Sequence, residues 1–327
     1  MNRLQKALEE ITSKGYLITN QKKICGGINS AVFRLEDNRK GTYALKLYPQ
    51  PTNHDQRDRC LTEVNFLKYI QTCEVWNTPR LEDSNPKESW ALLSWVEGLK
   101  PRKLRTPDLQ QITEFIYAIN QESTQFGRSQ LKPASEACNS FTGLVTCVAE
   151  RMKRLESTST TTKVEQEASR WITEVLRPYF ELLSERLLDN HANSTHWLDS
   201  EIRKIASPSD VGIHNTLQNE HGLCFLDFEY SGLDDLSKLA ADWILQPNHC
   251  FSKDQEETFC ELILIKMKNH SGDSWRARLE DIKPLIHVKW CLIMLNQLLA
   301  NKLNQHQLQK TIAYFEKQRL VVCNGEN

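Results

Sequence analysis

Three oxygen-bearing side chains stand close together between residues 207 and 230. Asp210 and Asn215 are five residues apart in SPSDVGIHN, and Asp227 follows Asn215 by twelve, at the end of the apolar run in GLCFLDFEY. Hard divalent cations such as Mg²⁺ take oxygen ligands and keep substrate phosphates in their shell, so this trio suits metal-assisted phosphate chemistry. Ser, Pro, Asp, Gly and Asn are also the usual turn formers, and a plain surface turn is the competing reading.

A second group lies upstream. In YALKLYP, alternation puts Ala44, Lys46 and Tyr48 on one strand face and Tyr43, Leu45 and Leu47 on the other. Lys46 is either an exposed edge charge or an inward ammonium that needs an anion. Glu63 offers one, because Phe66, Leu67 and Ile70 follow it at helical offsets of three, four and seven. A carboxylate on that apolar face is costly unless paired, although at the edge of the stripe it would be solvated. Gly26 and Gly27, in ICGGINSAVFRL, let a backbone turn tightly and approach a phosphate closely. The Walker pattern of Gly, four residues, Gly-Lys-Ser/Thr is absent.

The elements that must hold these residues fall into two styles. MNRLQKALEEITSKGY reads as an amphipathic helix without the apolar centre of a signal peptide. Residues 20–50 carry strand signals, AVFRLED and GTYALKLYP being separated by a turn at DNRKG. RDRCLTEVNFLKYIQTC reads as a helix and ESWALLSWVEG as a further strand. Beyond Pro101 the pattern is helical, with Thr106 a candidate cap and Pro107 at the first helical position. The long helix in VEQEASRWITEVLRPYFELLSERLLDN should kink or break near Pro178. ESTSTTTK is expected to be an exposed loop, and LSKLAADWILQ, SKDQEETFCELILIKMKN, PLIHVKWCLIMLNQLLANKL and NQHQLQKTIAYFEKQ further helices. The expected class is α+β: a sheet-rich N-terminal lobe over 1–97 and a helical C-terminal lobe over 98–327, joined near Trp95–Gly98.

Composition narrows the partners. With 39% hydrophobic and 25% charged residues the chain reads as an ordinary soluble globular protein. A formal net charge of −1 gives no global electrostatic case for nucleic acid. No apolar run reaches the roughly 18 residues of a membrane span. The ten Cys are scattered without a CxxC pair, which implies reduced thiols and a cytoplasmic setting, with Cys224 and Cys291 as core fillers.

Taken in order, these features resemble the protein-kinase-like fold, and within it the aminoglycoside phosphotransferase and choline kinase family, over roughly residues 20–300. FLDFEYSGLDD is similar to that family's metal-binding segment, and WCLIMLN resembles one of its late helices. The resemblance implies a two-lobe phosphotransferase that uses ATP or GTP and Mg²⁺. It assigns Asp210 as the base that takes the acceptor's proton, and Asn215 and Asp227 as metal ligands. Gly26, Gly27, Asn29, Ser30, Lys46 and Glu63 would bind the nucleotide phosphates, and the backbone of Ser94, Trp95 and Val96 its base. The acceptor would be a small-molecule hydroxyl, in a sugar, polyol or amino alcohol. A nucleotide-binding pseudokinase acting as scaffold or sensor is the alternative, and an aminoglycoside-modifying kinase a further one. The helical segment before the loop, with Trp171, Arg177, Tyr179 and Trp197, would help build the acceptor site. Two departures stand out: the family's His, two residues before the catalytic Asp, is here Pro208, and its Pro after Gly-Asp is Leu236. His214 comes after the Asp and is not assigned the missing role.

Overall fold

The computed structural model describes residues 2–24, 30–39, 41–53, 55–191, 197, 203–268 and 274–323. In chain order its elements are α1 (Arg3–Ser13), β1 (Ile18–Ile24), β2 (Ala31–Asp37), β3 (Thr42–Leu47), α2 (Arg59–Thr72), β4 (Leu81–Asn85), β5 (Trp90–Ser94), α3 (Thr106–Ala118) and α4 (Gln125–Ser129). There follow α5 (Phe141–Glu156), α6 (Lys163–Trp171), α7 (Arg177–His191), β6 (Lys204–Ser207), β7 (Thr216–Asn219), β8 (Gly222–Phe225) and β9 (Gly232–Asp235). The chain ends with α8 (Leu236–Leu245), α9 (Lys253–Met267), α10 (Trp275–Met294) and α11 (Gln305–Cys323). They form two compact units, one of residues 1–135 and 206–233, the other of 136–205 and 234–327. Residues 98–135 and the segment carrying Asp210, Asn215 and Asp227 thus group with the sheet rather than with the later helices.

In the first unit a five-stranded antiparallel sheet runs in the order β1-β2-β3-β5-β4. β3 is therefore interior, and Lys46 sits opposite Val32 on one side and Ala91 on the other, which excludes an edge position. The alternation along β3 works as the sequence suggests. Leu45 and Leu47 join Leu35, Trp90 and Leu92 in a core closed by Ala7 and Ile11 of α1, while Lys46 takes the opposite face. Asp58 caps α2 by accepting the Leu61 N–H at 2.9 Å. That start fixes the phase of the helix, so Glu63 is buried with Phe66, Leu67 and Ile70. In the same unit β7 and β8 form a hairpin lying against α3, where Phe115 stacks on Phe225 with centroids 4.3 Å apart.

The second unit is helical apart from short strand segments. Several of its charged residues are buried against opposite charges: Lys238 bridges Asp234 and Asp242 at 2.9 and 3.1 Å, Lys289 reaches Asp242 at 2.9 Å, and Arg278 meets Asp235 at 2.8 Å. Such pairs add little net stability, but losing one partner would strand a buried charge. Three local expectations are corrected or sharpened. The cap of α3 is Arg105, not Thr106, and its backbone N–H donates to Asp108 Oδ2 at 2.7 Å. Pro284 lies inside α10, which begins at Trp275, rather than at its start. The break near Pro178 is a π-helical turn over Ile172–Leu176 that ends where α7 begins. No helix among the described residues is long and apolar enough to cross a membrane.

His287 of α10 gives this unit an acid sensitivity. It is fully buried between the rings of Tyr314 and Phe315, with centroids 5.1 and 5.5 Å away. Burial pulls its pKa from an ordinary 6.5 down to about 4. Between those values the unfolded chain binds the proton and the folded chain does not, so stability is full above pH 6.5 and falls as pH drops. The contribution is on the order of 3 kcal/mol. Denaturant melts at pH 7 and pH 4.5 should show it, and His287→Phe should reduce the difference between the two.

Candidate active site

Lys46 is buried, and its ammonium lies 2.6 Å from Glu63 Oε2, 2.6 Å from Asp227 Oδ1 and 3.3 Å from Glu229 Oε2. Burial works against the charge, but the Glu63, Asp227 and Glu229 carboxylates outweigh it and raise the Lys46 pKa above its usual range. Glu63 is held in turn, since its Oε1 accepts the Phe228 N–H at 3.2 Å. One strand, one helix and the segment after β8 thereby meet at a single ammonium.

Glu229 is the residue that sequence reasoning passed over. Besides Lys46, it accepts a 2.8 Å hydrogen bond from Ser30 Oγ and lies 3.6 Å from Arg59 Nε. Arg59 also donates to Tyr230 Oη at 3.2 Å and to Asp55 Oδ2 at 2.6 Å. Its one sequence signal was its place two residues after Asp227. Ser30 keeps its place at the end of the glycine segment, with its hydroxyl committed to Glu229. Gly26, Gly27 and Asn29 lie outside the described residues.

The 207–215 loop is built by short local bonds. Ser209 N–H donates to Ser207 Oγ at 3.1 Å, Asp210 N–H to the Pro208 carbonyl at 2.9 Å, and Asn215 N–H to the Gly212 carbonyl at 3.1 Å. A serine hydroxyl and two backbone bonds therefore order the loop without a His at position 208. Gly212, at φ 143°, takes a backbone that a side chain would strain. Buried Asn120 clamps the entry to the loop, exchanging two hydrogen bonds with the Ala206 backbone at 2.8 and 3.0 Å. Nothing in its sequence neighbourhood marked it.

The Asp210 carboxylate is then held at both oxygens. His214 Nε2 is 3.1 Å from Oδ1, and Asn215 Nδ2 donates to Oδ2 at 3.1 Å and to the Asp210 carbonyl at 2.9 Å. Leu226 N–H donates to the Asn215 carbonyl at 2.9 Å, which ties this loop to the residue preceding Asp227. Asp227 itself has φ 66°, in the left-handed region. Strained backbone of this kind costs of order 1–3 kcal/mol and collects at functional sites.

The donor set fits a hard divalent cation. All the candidate ligands are oxygens: Asn215 spends its amide nitrogen on Asp210, leaving Oδ1 as its ligand atom, and Asp227 keeps its side chain 36% exposed. Glu63, Asp227 and Glu229 offer carboxylate oxygens within 4.8 Å of one another, with Lys46 and Arg59 as the cations beside them. At the strand end, the Ser94 and Trp95 N–H groups already donate to Arg80 and Thr42 carbonyls, at 2.8 and 3.2 Å. A cavity of about 340 Å³ lies against Ser94–Val96, and Lys46, Asp210 and Asp227 are not among the residues that line it.

In the second unit, the aromatic residues considered for an acceptor site are engaged in packing. Trp171 and Tyr179 each meet Phe315 edge-on, Trp197 packs on Phe141, and Arg177 pairs with Glu156.

No protein-family model matches the chain, and no curated protein does. Solved structures do match in fold. A type I macrolide 2′-phosphotransferase superposes with a TM-score of 0.61 at 9% identity, covering 95% of this chain and 96% of that one. A choline kinase from Cryptosporidium parvum gives 0.59 at 12%, covering 98% and 97%. A spectinomycin phosphotransferase, solved with ADP and spectinomycin, gives 0.61 at 14%, covering 95% and 93%. The chain has the two-lobe α+β fold that these kinase-like phosphotransferases share.

Proposed function

We propose that this protein is an ATP- or GTP-dependent phosphotransferase that moves the γ-phosphate to a hydroxyl of a small molecule. The observation that carries the reading is the convergence on Lys46. A buried lysine held by a helix glutamate and by Asp227, beside a loop presenting Asp210 and Asn215, is the arrangement that phosphoryl transfer needs. Lys46, kept cationic by Glu63, would bind the nucleotide's phosphate oxygens. Asn215 and Asp227 would hold a divalent cation, Mg²⁺ by preference, which when bound offsets charge on the phosphoryl oxygens. Asp210 would orient the acceptor hydroxyl and take its proton. The base edge would be met at Val96, since the Ser94 and Trp95 amides are taken. The work is positioning and electrostatics, with no covalent step for the protein. A neighbour in fold that was solved with ADP supports the nucleotide, as does an amicoumacin kinase solved with AMP-PNP and Ca²⁺.

The acceptor is a neutral or weakly charged alcohol: a sugar, polyol or amino alcohol. A polycationic aminoglycoside needs several convergent carboxylates. The acids nearest the metal segment are already used: Glu229 on Ser30 and Lys46, Asp234 on Lys238, and Asp235 on Arg278. Incubation with γ-labelled ATP or GTP and parallel panels of neutral alcohols, amino alcohols and aminoglycosides tests both points. Label should move to members of the first two panels. Turnover confined to aminoglycosides would overturn the acceptor class. Nucleotide binding with no transfer to any acceptor would favour a nucleotide-binding scaffold instead.

A further inference from the structure

The carboxylate of Asp210 has two oxygens and about four lone-pair sites. Asn215 Nδ2 takes one on Oδ2, and His214 Nε2 takes one on Oδ1, each at 3.1 Å. An ionised carboxylate only accepts, so the ring nitrogen facing it carries the hydrogen. The carboxylate is thus braced at both oxygens, its plane is fixed, and each oxygen retains a lone pair for an incoming hydroxyl. Asp210 and His214 stay about one-third exposed, at 32% and 31% of their side chains, so the pair faces solvent where an acceptor can arrive.

The brace comes from the loop's own shape. The 3₁₀ turn over Ile213–Asn215, entered through Gly212, brings the residue four places after Asp210 back beside its carboxylate. The segment before Asp210 supplies no such partner: position 208 is Pro, which has no side-chain donor, and Ser207 Oγ accepts the Ser209 N–H without bonding the Asp210 carboxylate, whose side-chain bonds come from His214 and Asn215. From this geometry we infer that His214 is a positioning residue for phosphoryl transfer, which acts through Asp210 by fixing the direction in which its carboxylate receives the acceptor's proton. This rests on the phosphotransferase reading above.

A donor that only orients the base acts on turnover and leaves nucleotide binding alone. His214→Phe keeps a planar ring but removes the donor, whereas His214→Gln restores an N–H at the end of a side chain of similar reach. In steady-state phosphoryl transfer, His214→Phe should lower kcat by about 10- to 100-fold, the range for a misplaced catalytic group. Its KM for the nucleotide and its melting shift with MgATP should stay within about twofold of wild type, and His214→Gln should recover most of the lost kcat. If His214 only staples the loop, Phe and Gln would fail together, with a lowered melting temperature, and that result would overturn the inference. A wild-type kcat in His214→Phe would overturn it as well. Wild-type protein that transfers phosphate to nothing, including water, would remove the reading beneath it and this inference too, a failure visible before any variant is made.

Discussion

Asp210→Asn is expected to bind MgATP as the wild type does and to transfer its γ-phosphate roughly 10²- to 10⁴-fold more slowly, the range for loss of a general base. The substitution is nearly isosteric, and the loop's order rests on Ser207, Pro208, Gly212 and Asn120 rather than on the carboxylate's charge. Lys46, Glu63 and Asp227 make no contact through Asp210, and Asn215 keeps its 2.9 Å bond to the Asp210 backbone carbonyl, so the nucleotide site should survive. The alternative view, in which Asp210 is only a turn former, expects the opposite: Asn is as good a turn residue, and turnover would not change. Single-turnover transfer alongside nucleotide titration separates the two, and an undiminished rate would remove Asp210 from the chemistry.

Much of this site could be read before any coordinates, because its spacing follows from secondary structure. Alternation along residues 43–48 placed Lys46 opposite Leu45 and Leu47, and helical offsets placed Glu63 among Phe66, Leu67 and Ile70; both placements hold. What periodicity could not supply was pairing across the chain. Glu229 was not singled out, because its bond to Ser30 spans 199 residues. Asn120 reaches Ala206 across 86. His214 was visible, but whether a 3₁₀ turn would swing it back to Asp210 depends on φ and ψ at Gly212, which residue types alone do not set. Helix ends went astray for local reasons. Asp108 secures the start of α3 by accepting from the Arg105 N–H and guanidinium, with no Ser or Thr at the cap, and Pro284 sits inside α10 although prolines more often mark a helix start.

The largest combined effect is expected at Lys46. Lys46→Met removes the ammonium around which Glu63, Asp227 and Glu229 gather, and two of those carboxylates are almost wholly buried, at 1% and 4% exposure for Glu63 and Glu229. Breaking a buried pair from one side costs about 3–5 kcal/mol. The same change takes away the cation that would meet the nucleotide's phosphates. The variant should therefore melt well below wild type and gain nothing from nucleotide. Asp227, with a side chain 36% exposed, offers the complementary test: Asp227→Ala should lose the metal ligand at a smaller cost in folding.

The direct measurement is the melting temperature of wild type, Lys46→Met and Asp227→Ala, each with and without saturating MgATP or MgGTP. Binding to the folded state at 100 times Kd adds about 2.7 kcal/mol, a rise of several degrees. Wild type should show that rise with one of the two nucleotides, only when the metal is present, and both variants should show little or none. A wild type that neither nucleotide stabilises, or variants stabilised as much as wild type, would contradict the assignment of Lys46 and Asp227 to a nucleotide–metal site.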